Sequence, residues 1–130
     1  MKVSDLHQQR VFTAEAEETL EEAADRMRWH AVGALPVFDG HRLVGIITER
    51  DLTAALADGV DPETTPVGNY MTPAPAVLGP DSELGEAARA MLELGVRHVP
   101  IVDHGHLLAV LSIRDLLAAE ASATAKGDRR

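Results

Sequence analysis

The stretch GIITERDL, residues 45–52, reads as the end of a buried strand followed directly by a polar turn that opens a helix. The stretch AVLSIRDL, residues 109–116, repeats this pattern at an offset of 64, the difference between Asp115 and Asp51. Each stretch places a hydroxyl three residues before an aspartate, as Thr48 with Asp51 and as Ser112 with Asp115. The chain therefore contains the same strand, turn and helix start twice.

The repeat extends over most of the chain at the same offset of 64, without a gap. Identical residues recur at many aligned positions, including Leu20 with Leu84, Ala23 with Ala87, Met27 with Met91, Val32 with Val96, Pro36 with Pro100 and Leu52 with Leu116. Agreement of this extent indicates two copies of one supersecondary unit. We predict a first copy over 1–62, a second over 63–120 and a flexible C-terminal tail over 121–130, where the apolar periodicity ends.

Each copy predicts a helix, two strands and a second helix. The first helix carries an apolar stripe at Leu20, Ala23, Ala24 and Met27, with Thr19 and Glu22 spaced as a capping box. Asp81 or Ser82 is the expected cap of its counterpart. The strands are predicted at ALPVF and LVGIIT in the first copy and at HVPIV and LLAVLS in the second.

The second helix of each copy follows Thr48 or Ser112, and Gly59 is the expected end of the first of these. Pro36 and Pro100 lack a backbone donor, so each is expected at the start of its strand or facing a side without a partner. Neither small sheet can cover both of its faces alone. We therefore predict an α/β fold of two β-α-β-β-α-type repeats that pack with pseudo-twofold symmetry and form two clefts between them.

The composition argues against several classes of protein. A net charge of −9 and only 3% aromatic residues disfavour binding to a nucleic-acid polymer. The acidic residues near the start of the first helix are interpreted as a solvated face, with a docking surface for a basic partner as the alternative. No cysteine is present, which excludes disulfides and thiolate chemistry. The N-terminal residues lack the apolar core of a secretory signal, and no apolar run approaches the ~20 residues of a membrane span. We expect a cytoplasmic protein that does not associate with a membrane.

The repeated hydroxyl and aspartate have two interpretations. Such a pair directly before an apolar helix is the spacing of a capping box, and copying the unit copies its cap. A helix N-terminus also favours phosphate, and an ionised aspartate can accept bonds from two adjacent sugar hydroxyls. The residues alone leave both interpretations open.

The full pattern resembles the CBS domain, and two in tandem resemble the CBS pair known as a Bateman module. The resemblance rests on GALPVFD and VRHVPIVD, on LVGIITERDL and LLAVLSIRDL, and on the YMTP segment at Tyr70 to Pro73, and it spans about residues 3 to 119. It implies a regulatory module without catalysis and without a required cofactor. The implied ligands contain adenosine: AMP, ADP, ATP, S-adenosylmethionine or NAD.

The resemblance also implies roles for individual residues. Asp51 and Asp115 match the aspartates that bind ribose, and Thr48 and Ser112 match the hydroxyls that contact phosphate or ribose. Arg50 and Arg114 are either phosphate contacts or solvated side chains. The strand lining the adenine pocket matches Val32, Gly33, Ala34, Pro36, Val96, Arg97, His98 and Pro100. Because Arg97 and His98 stand where the first copy has Gly33 and Ala34, we expect unequal sites.

The chain has six histidines (His7, His30, His41, His98, His104 and His106), yet their spacing matches no zinc motif. No nucleophile signature is present, so we expect no enzyme. Trp29 could pack on the core, line a ligand pocket or join a dimer contact, and core packing is the favoured interpretation. The resemblance implies a homodimer with an unknown protein effector, and the rival interpretation is a dimerisation or partner-docking protein that binds no small ligand.

Overall fold

A computed structural model describes residues 1–6, 11–73 and 75–128. The described residues form a mixed α/β structure with two separate sheets and four α-helices. The elements in chain order are β1 (Ala14–Glu15), α1 (Leu20–His30), β2 (Ala34–Asp39), β3 (Arg42–Thr48), α2 (Glu49–Asp58), β4 (Thr72–Pro73), α3 (Leu84–Leu94), β5 (His98–Asp103), β6 (His106–Ser112) and α4 (Ile113–Asp128). The predicted fold class and all predicted strands and helices of the two copies are confirmed.

The two hairpins are built on the same register. Strand β2 pairs antiparallel with β3, and β5 pairs antiparallel with β6. The pairs Ala34–Thr48 and His98–Ser112 are equivalent, and each later pair also repeats at the offset of 64, down to the bulge between Val37 and Phe38 and between Ile101 and Val102. The copied sequence therefore produces a copied backbone geometry.

The sheets differ at their edges. The first has the order β1-β2-β3-β4, with β1 parallel to β2 and β4 antiparallel to β3. The second has the order β5-β6, and its counterpart of β1 is reduced to one parallel bridge between Leu78 and Ile101. Among the described residues no strand pairs with the outer edge of β6.

Apolar side chains at equivalent positions form two cores, one in each compact unit. One core contains Leu20, Ala23, Met27, Leu35, Val37 and Ile47, and the other contains Ala87, Met91, Val99, Ile101, Leu111 and Leu116. Aliphatic side chains make up the buried set of both cores, as the low aromatic content predicts. Met27 and Met91 are buried as predicted.

The compact units do not follow the order of the copies along the sequence. One unit comprises residues 12–75, and the other comprises residues 1–11 together with 76–130. The cause is an exchange of two short 3₁₀ turns, Val3–Asp5 and Val67–Asn69, which lie 64 residues apart. Val3 is buried in the core of the second copy and Val67 in that of the first. The predicted division at residue 62 describes the sequence repeat and stays a prediction.

Helix α4 continues to Asp128, into the segment expected to be a flexible tail. Alanine and lysine favour helix without any apolar periodicity, which explains why the helix outlasts the pattern that predicted it. The flexibility of 121–130 stays a prediction, and residues 129–130 lie outside the described residues.

The helix ends show which local predictions hold. Thr19 caps α1 by accepting a bond from the Glu22 N–H at 3.2 Å, and Gly59 ends α2 with a φ of 75°. The prediction of Asp81 or Ser82 as the cap of α3 is wrong, because Glu83 occupies the cap position and its own N–H donates to Glu86 Oε1 at 3.4 Å. The main chain of residues 1–4 instead occupies Ser82 and Leu84, through the bonds Val3 N–H to Ser82 O and Leu84 N–H to Met1 O.

Both strand prolines lie third in their strands, not first, and both are fully buried. The Pro100 carbonyl accepts from the Leu78 N–H at 3.0 Å, on the side of β5 opposite β6. The nitrogen and carbonyl of one strand residue point to the same side, so the nitrogen of Pro100 also faces away from β6. Its missing N–H therefore costs no hydrogen bond to β6. Pro100 therefore meets neither expectation, because it is not first in β5 and the side that it faces has a partner in Leu78, which needs an acceptor there but no donor.

Trp29 is not a core residue, since 84% of its surface is exposed. It lies two residues after buried Met27, which turns it by about 200° around the helix, away from the apolar stripe. The neighbouring His30 ring stacks on Phe12 with centroids 3.6 Å apart. The prediction of core packing for Trp29 is therefore wrong.

Candidate functional site

The repeated hydroxyl and aspartate lie where a strand ends and a helix begins. Thr48 is the last residue of β3 and the cap of α2, and Ser112 is the last residue of β6, directly before α4. Asp51 and Asp115 follow in the first turn of each helix. The hairpin registers bring the start of β2 beside Thr48 and the start of β5 beside Ser112.

Both pairs form reciprocal caps. The Thr48 N–H donates to Asp51 Oδ2 at 2.8 Å, and the Asp51 N–H donates to Thr48 Oγ1 at 3.3 Å. In the second copy the Ser112 N–H donates to Asp115 Oδ2 at 2.8 Å, and the Asp115 N–H donates to Ser112 Oγ at 3.1 Å. The capping interpretation is therefore confirmed in both copies.

Capping leaves part of each carboxylate unused. All bonds that Asp51 and Asp115 accept from described residues go to Oδ2. A carboxylate has a second oxygen with its own lone pairs, so Oδ1 of each aspartate is free to accept bonds from another molecule. Asp51 is half-buried and Asp115 is exposed. The caps are thus compatible with ligand binding and do not exclude it.

The residues before each strand complete the surroundings of the cap. The Gly33 carbonyl accepts from the Glu49 N–H at 3.1 Å, and the Arg97 carbonyl accepts from the Ile113 N–H at 2.8 Å. Each bond joins the segment before a strand to the first residue of the following helix. The backbone therefore holds the predicted residues 32–34 beside 48–51, and 96–98 beside 112–115.

The other predicted site residues differ in their surroundings. Val32 and Val96 are half-buried against the cores, Ala34 is buried, and Pro36 and Pro100 are fully buried. Arg50, Arg97 and Arg114 are exposed, and His98 is half-buried. The structure brings the backbone of these residues together within each copy. Their role in lining a pocket, and the clefts between the copies, stay predictions.

Sequence reasoning missed one difference between the two helix starts. Position 49 is a glutamate, whereas the equivalent position 113 is an isoleucine with 37% of its surface exposed. The difference is visible in the aligned stretches TERDL and SIRDL, where identical residues surround it.

The histidines do not form a metal centre in the part of the chain that the structure describes. No group of three or more His, Cys, Asp or Glu side chains there is placed to hold a metal ion. His104 contacts Asp103 through Nδ1 at 2.9 Å in an exposed turn. His7 lies outside the described residues. None of the helices described is long and apolar enough to span a bilayer.

Comparisons with known proteins agree with the repeated geometry. The chain is 32% identical over 126 residues to the CBS domain-containing protein YhcV of Bacillus subtilis, covering 96% of this chain and 89% of that protein. The CBS domain pair of protein MJ0100, solved in complex with methylthioadenosine and S-adenosyl-L-methionine, matches with a TM-score of 0.86 and 26% identity over 95% of this chain and 98% of that one.

A second solved structure, CBSX2 in complex with AMP, matches with a TM-score of 0.79 and 28% identity, over 95% of this chain and 98% of that one. The family model of the CBS domain matches twice, at residues 3–58 and 67–122, which lie 64 residues apart. Together these matches include both hairpins, the 3₁₀ turns and both capped helices. The chain belongs to the CBS domain family and contains two CBS domains in tandem.

Proposed function

We propose that this chain is a regulatory module that binds an adenosine-containing ligand and catalyses no reaction. The observation that carries the proposal is the free Oδ1 of Asp51 and Asp115 beside a capped helix start, duplicated in the same backbone geometry. An ionised carboxylate oxygen suits the hydroxyls of a ribose, and the helix N-terminus suits an anionic or polar group attached to it. The complexes of similar CBS pairs with methylthioadenosine, S-adenosyl-L-methionine and AMP support this class of ligand.

The proposed candidates are AMP, ADP, ATP, S-adenosylmethionine and NAD, bound in clefts between the two CBS domains. Binding of such a ligand would report energy or metabolite status to a separate protein effector. We further propose a cytoplasmic homodimer that acts without a cofactor, a nucleic-acid polymer or a membrane. The net charge of −9 supports the exclusion of nucleic acid.

The test is isothermal titration calorimetry of the chain with each of these ligands, repeated on Asp51→Ala and Asp115→Ala. We expect saturable binding that one or both variants abolish. Each variant also loses a helix cap, at a cost of about 1 kcal/mol. Thr19→Ala is the matched control, because it removes the cap of α1 outside the proposed site. Loss of ligand binding in Thr19→Ala as well, or flat titrations with every ligand, would refute the proposal.

A second candidate function is dimerisation or partner docking without a small ligand. Its supporting observation is one exposed leucine on the second helix of each copy. Leu56 on α2 is 82% exposed, and Leu117 on α4 is 60% exposed. Contiguous exposed apolar patches, rather than single side chains, mark protein interfaces, so this candidate requires Leu56 and Leu117 to belong to such patches. Sedimentation velocity of Leu56→Glu and Leu117→Glu, with exposed Val77→Glu as the control, distinguishes an association through these helices from a general effect of added charge.

A further inference from the structure

The two helix starts carry opposite local charge at equivalent positions. One cation against two anions gives −1 in the first copy, and two cations against one anion give +1 in the second, with histidine neutral. The five positions are Gly33, Ala34, Glu49, Arg50 and Asp51 in the first copy and Arg97, His98, Ile113, Arg114 and Asp115 in the second. The sign of the local charge is therefore reversed between two sites of the same design.

The charge difference acts at the same point of both backbones. The residue before the strand bonds to the first residue of the helix in each copy, as Gly33 to Glu49 and as Arg97 to Ile113. The next residue pairs directly with the capping hydroxyl residue, as Ala34 with Thr48 and as His98 with Ser112. Because the two frameworks coincide, the substituted side chains decide how a bound group of given charge is received.

The capping hydroxyls also differ in a way that favours phosphate at the second copy. The Thr48 hydroxyl donates its proton to Asp51 Oδ2 at 3.0 Å. The Ser112 hydroxyl accepts from the Asp115 N–H and donates to no group among the described residues. The proton of the Ser112 hydroxyl is thus available to an acceptor oxygen of a ligand, whereas that of Thr48 is already engaged. A phosphate consists of such acceptor oxygens.

We propose that the two copies select adenosine ligands by charge, the second copy taking a phosphorylated ligand and the first taking one without phosphate. This inference rests on the proposed function and adds the ligand class of each copy. Glu49 repels a phosphate at the first helix start. At the second, Arg97 and the free Ser112 hydroxyl attract it, in addition to the N-terminus of α4.

The experiment removes the proposed site of one copy at a time and compares the binding of AMP with that of adenosine, which differ only in the phosphate. Asp51→Ala leaves the second copy, and we expect it to bind AMP at least about tenfold more tightly than adenosine in calorimetry at low salt. Added KCl should narrow this ratio because it screens the phosphate contacts. Asp115→Ala leaves the first copy, and we expect it to bind adenosine more tightly than AMP.

Exchange of single residues between the copies tests the cause. In the Asp51→Ala background, Arg97→Gly and Ile113→Glu each introduce the first copy's residue and should lower the AMP-to-adenosine affinity ratio about tenfold. In the Asp115→Ala background, Glu49→Ile should raise the same ratio. The charge selection is overturned if Asp51→Ala and Asp115→Ala have equal AMP-to-adenosine affinity ratios, or if the exchanges leave these ratios unchanged. Binding of adenosine in the same experiments would still support the proposed function. Absence of binding to both ligands in the unmodified chain overturns both proposals.

Discussion

At the scale of single residues, the two copies act as controls for each other. Ala31 and Gly95 end α1 and α3 at equivalent positions, and both have left-handed backbone, with φ of 55° and 66°. Only glycine adopts this conformation without a steric penalty from Cβ. The first copy therefore carries a local strain at its helix end that the second copy does not.

We expect Ala31→Gly to stabilise the protein by about 0.5–1 kcal/mol, since relief of the left-handed strain exceeds the added entropy of the unfolded chain. Gly95→Ala should destabilise it by about 1 kcal/mol for the converse reason. Urea unfolding followed by circular dichroism measures both. A destabilised Ala31→Gly variant would contradict the strain at residue 31.

A second residue-scale feature is the ion pair of Arg26 and Glu18. Arg26 donates to both carboxylate oxygens, at 2.8 and 2.6 Å, and to the Thr13 carbonyl at 2.8 Å. The Arg26 guanidinium lowers the pKa of Glu18 from 4.5 to about 2. Elsewhere, the negative charge of Glu63 raises the pKa of Glu21.

A lowered folded-state pKa means that ionised Glu18 stabilises the fold above pH 4.5 and that this contribution is lost as the pH falls toward 2. We expect Glu18→Gln to cost about 1–2 kcal/mol at pH 7 and progressively less below pH 4.5. Glu21→Gln is the control of opposite sign, with a gain at pH 7 that disappears in acid. Unfolding curves from pH 7 to pH 2.5 measure both effects. A loss of unfolding free energy in Glu18→Gln that stays constant with pH would count against the ion pair.

At the scale of elements, the first sheet depends on a glycine that the second does not need. A Cβ on Gly45 would lie 2.6 Å from Met71 Sδ and 2.7 Å from the Thr72 carbonyl, because β4 runs directly alongside β3 there. The equivalent residue of β6 is Ala109, where no described strand approaches. The glycine is thus a consequence of β4.

We expect Gly45→Ala to destabilise the protein by about 1–3 kcal/mol through overpacking against β4. Ala109→Gly, the reciprocal change, should cost no more than about 1 kcal/mol, because it meets no neighbouring strand. Thermal unfolding of the two variants gives the comparison. Equal effects would mean that the contact with β4 does not determine the residue at 45.

Local elements were predictable because their signals are contained in adjacent residues. The capped helices, both hairpins and the caps at Thr48 and Ser112 follow from spacing alone, and the repeat supplies an independent second instance. The cap of α3, the short strand β4 and the exposure of Trp29 were not foreseen. The first two depend on main chain that arrives from distant residues, and the third follows from the angle of residue 29 around the helix axis.

At the scale of the whole molecule, the exchange of 3₁₀ turns was beyond sequence reasoning. Val3 and Val67 occupy equivalent sequence positions, so the pattern assigns each to its own copy. Burial in either core satisfies an apolar valine equally well, and the pattern contains no term that distinguishes the two partners. The caps within the candidate sites were predictable from the repeat, and so was the unequal charge around them, whereas the core that buries each valine was not.

We expect Val67→Ala to destabilise the unit of residues 12–75 and Val3→Ala to destabilise the other, each by about 2 kcal/mol from lost burial and the cavity left behind. Native-state hydrogen exchange locates the effect. Faster exchange should appear in α1 and β3 for Val67→Ala and in α3 and β5 for Val3→Ala. The reverse assignment would show that the turns are not exchanged.

The exchange also sets an order of events while the chain is being made. Residues 12–75 can close their core as soon as they have left the ribosome, because every buried member of that core has by then been synthesised. Val3 precedes that core in the chain but finds its own partners only after β5, β6 and the start of α4 have appeared. The segment around Val3 is therefore expected to fold later than the core of residues 12–75.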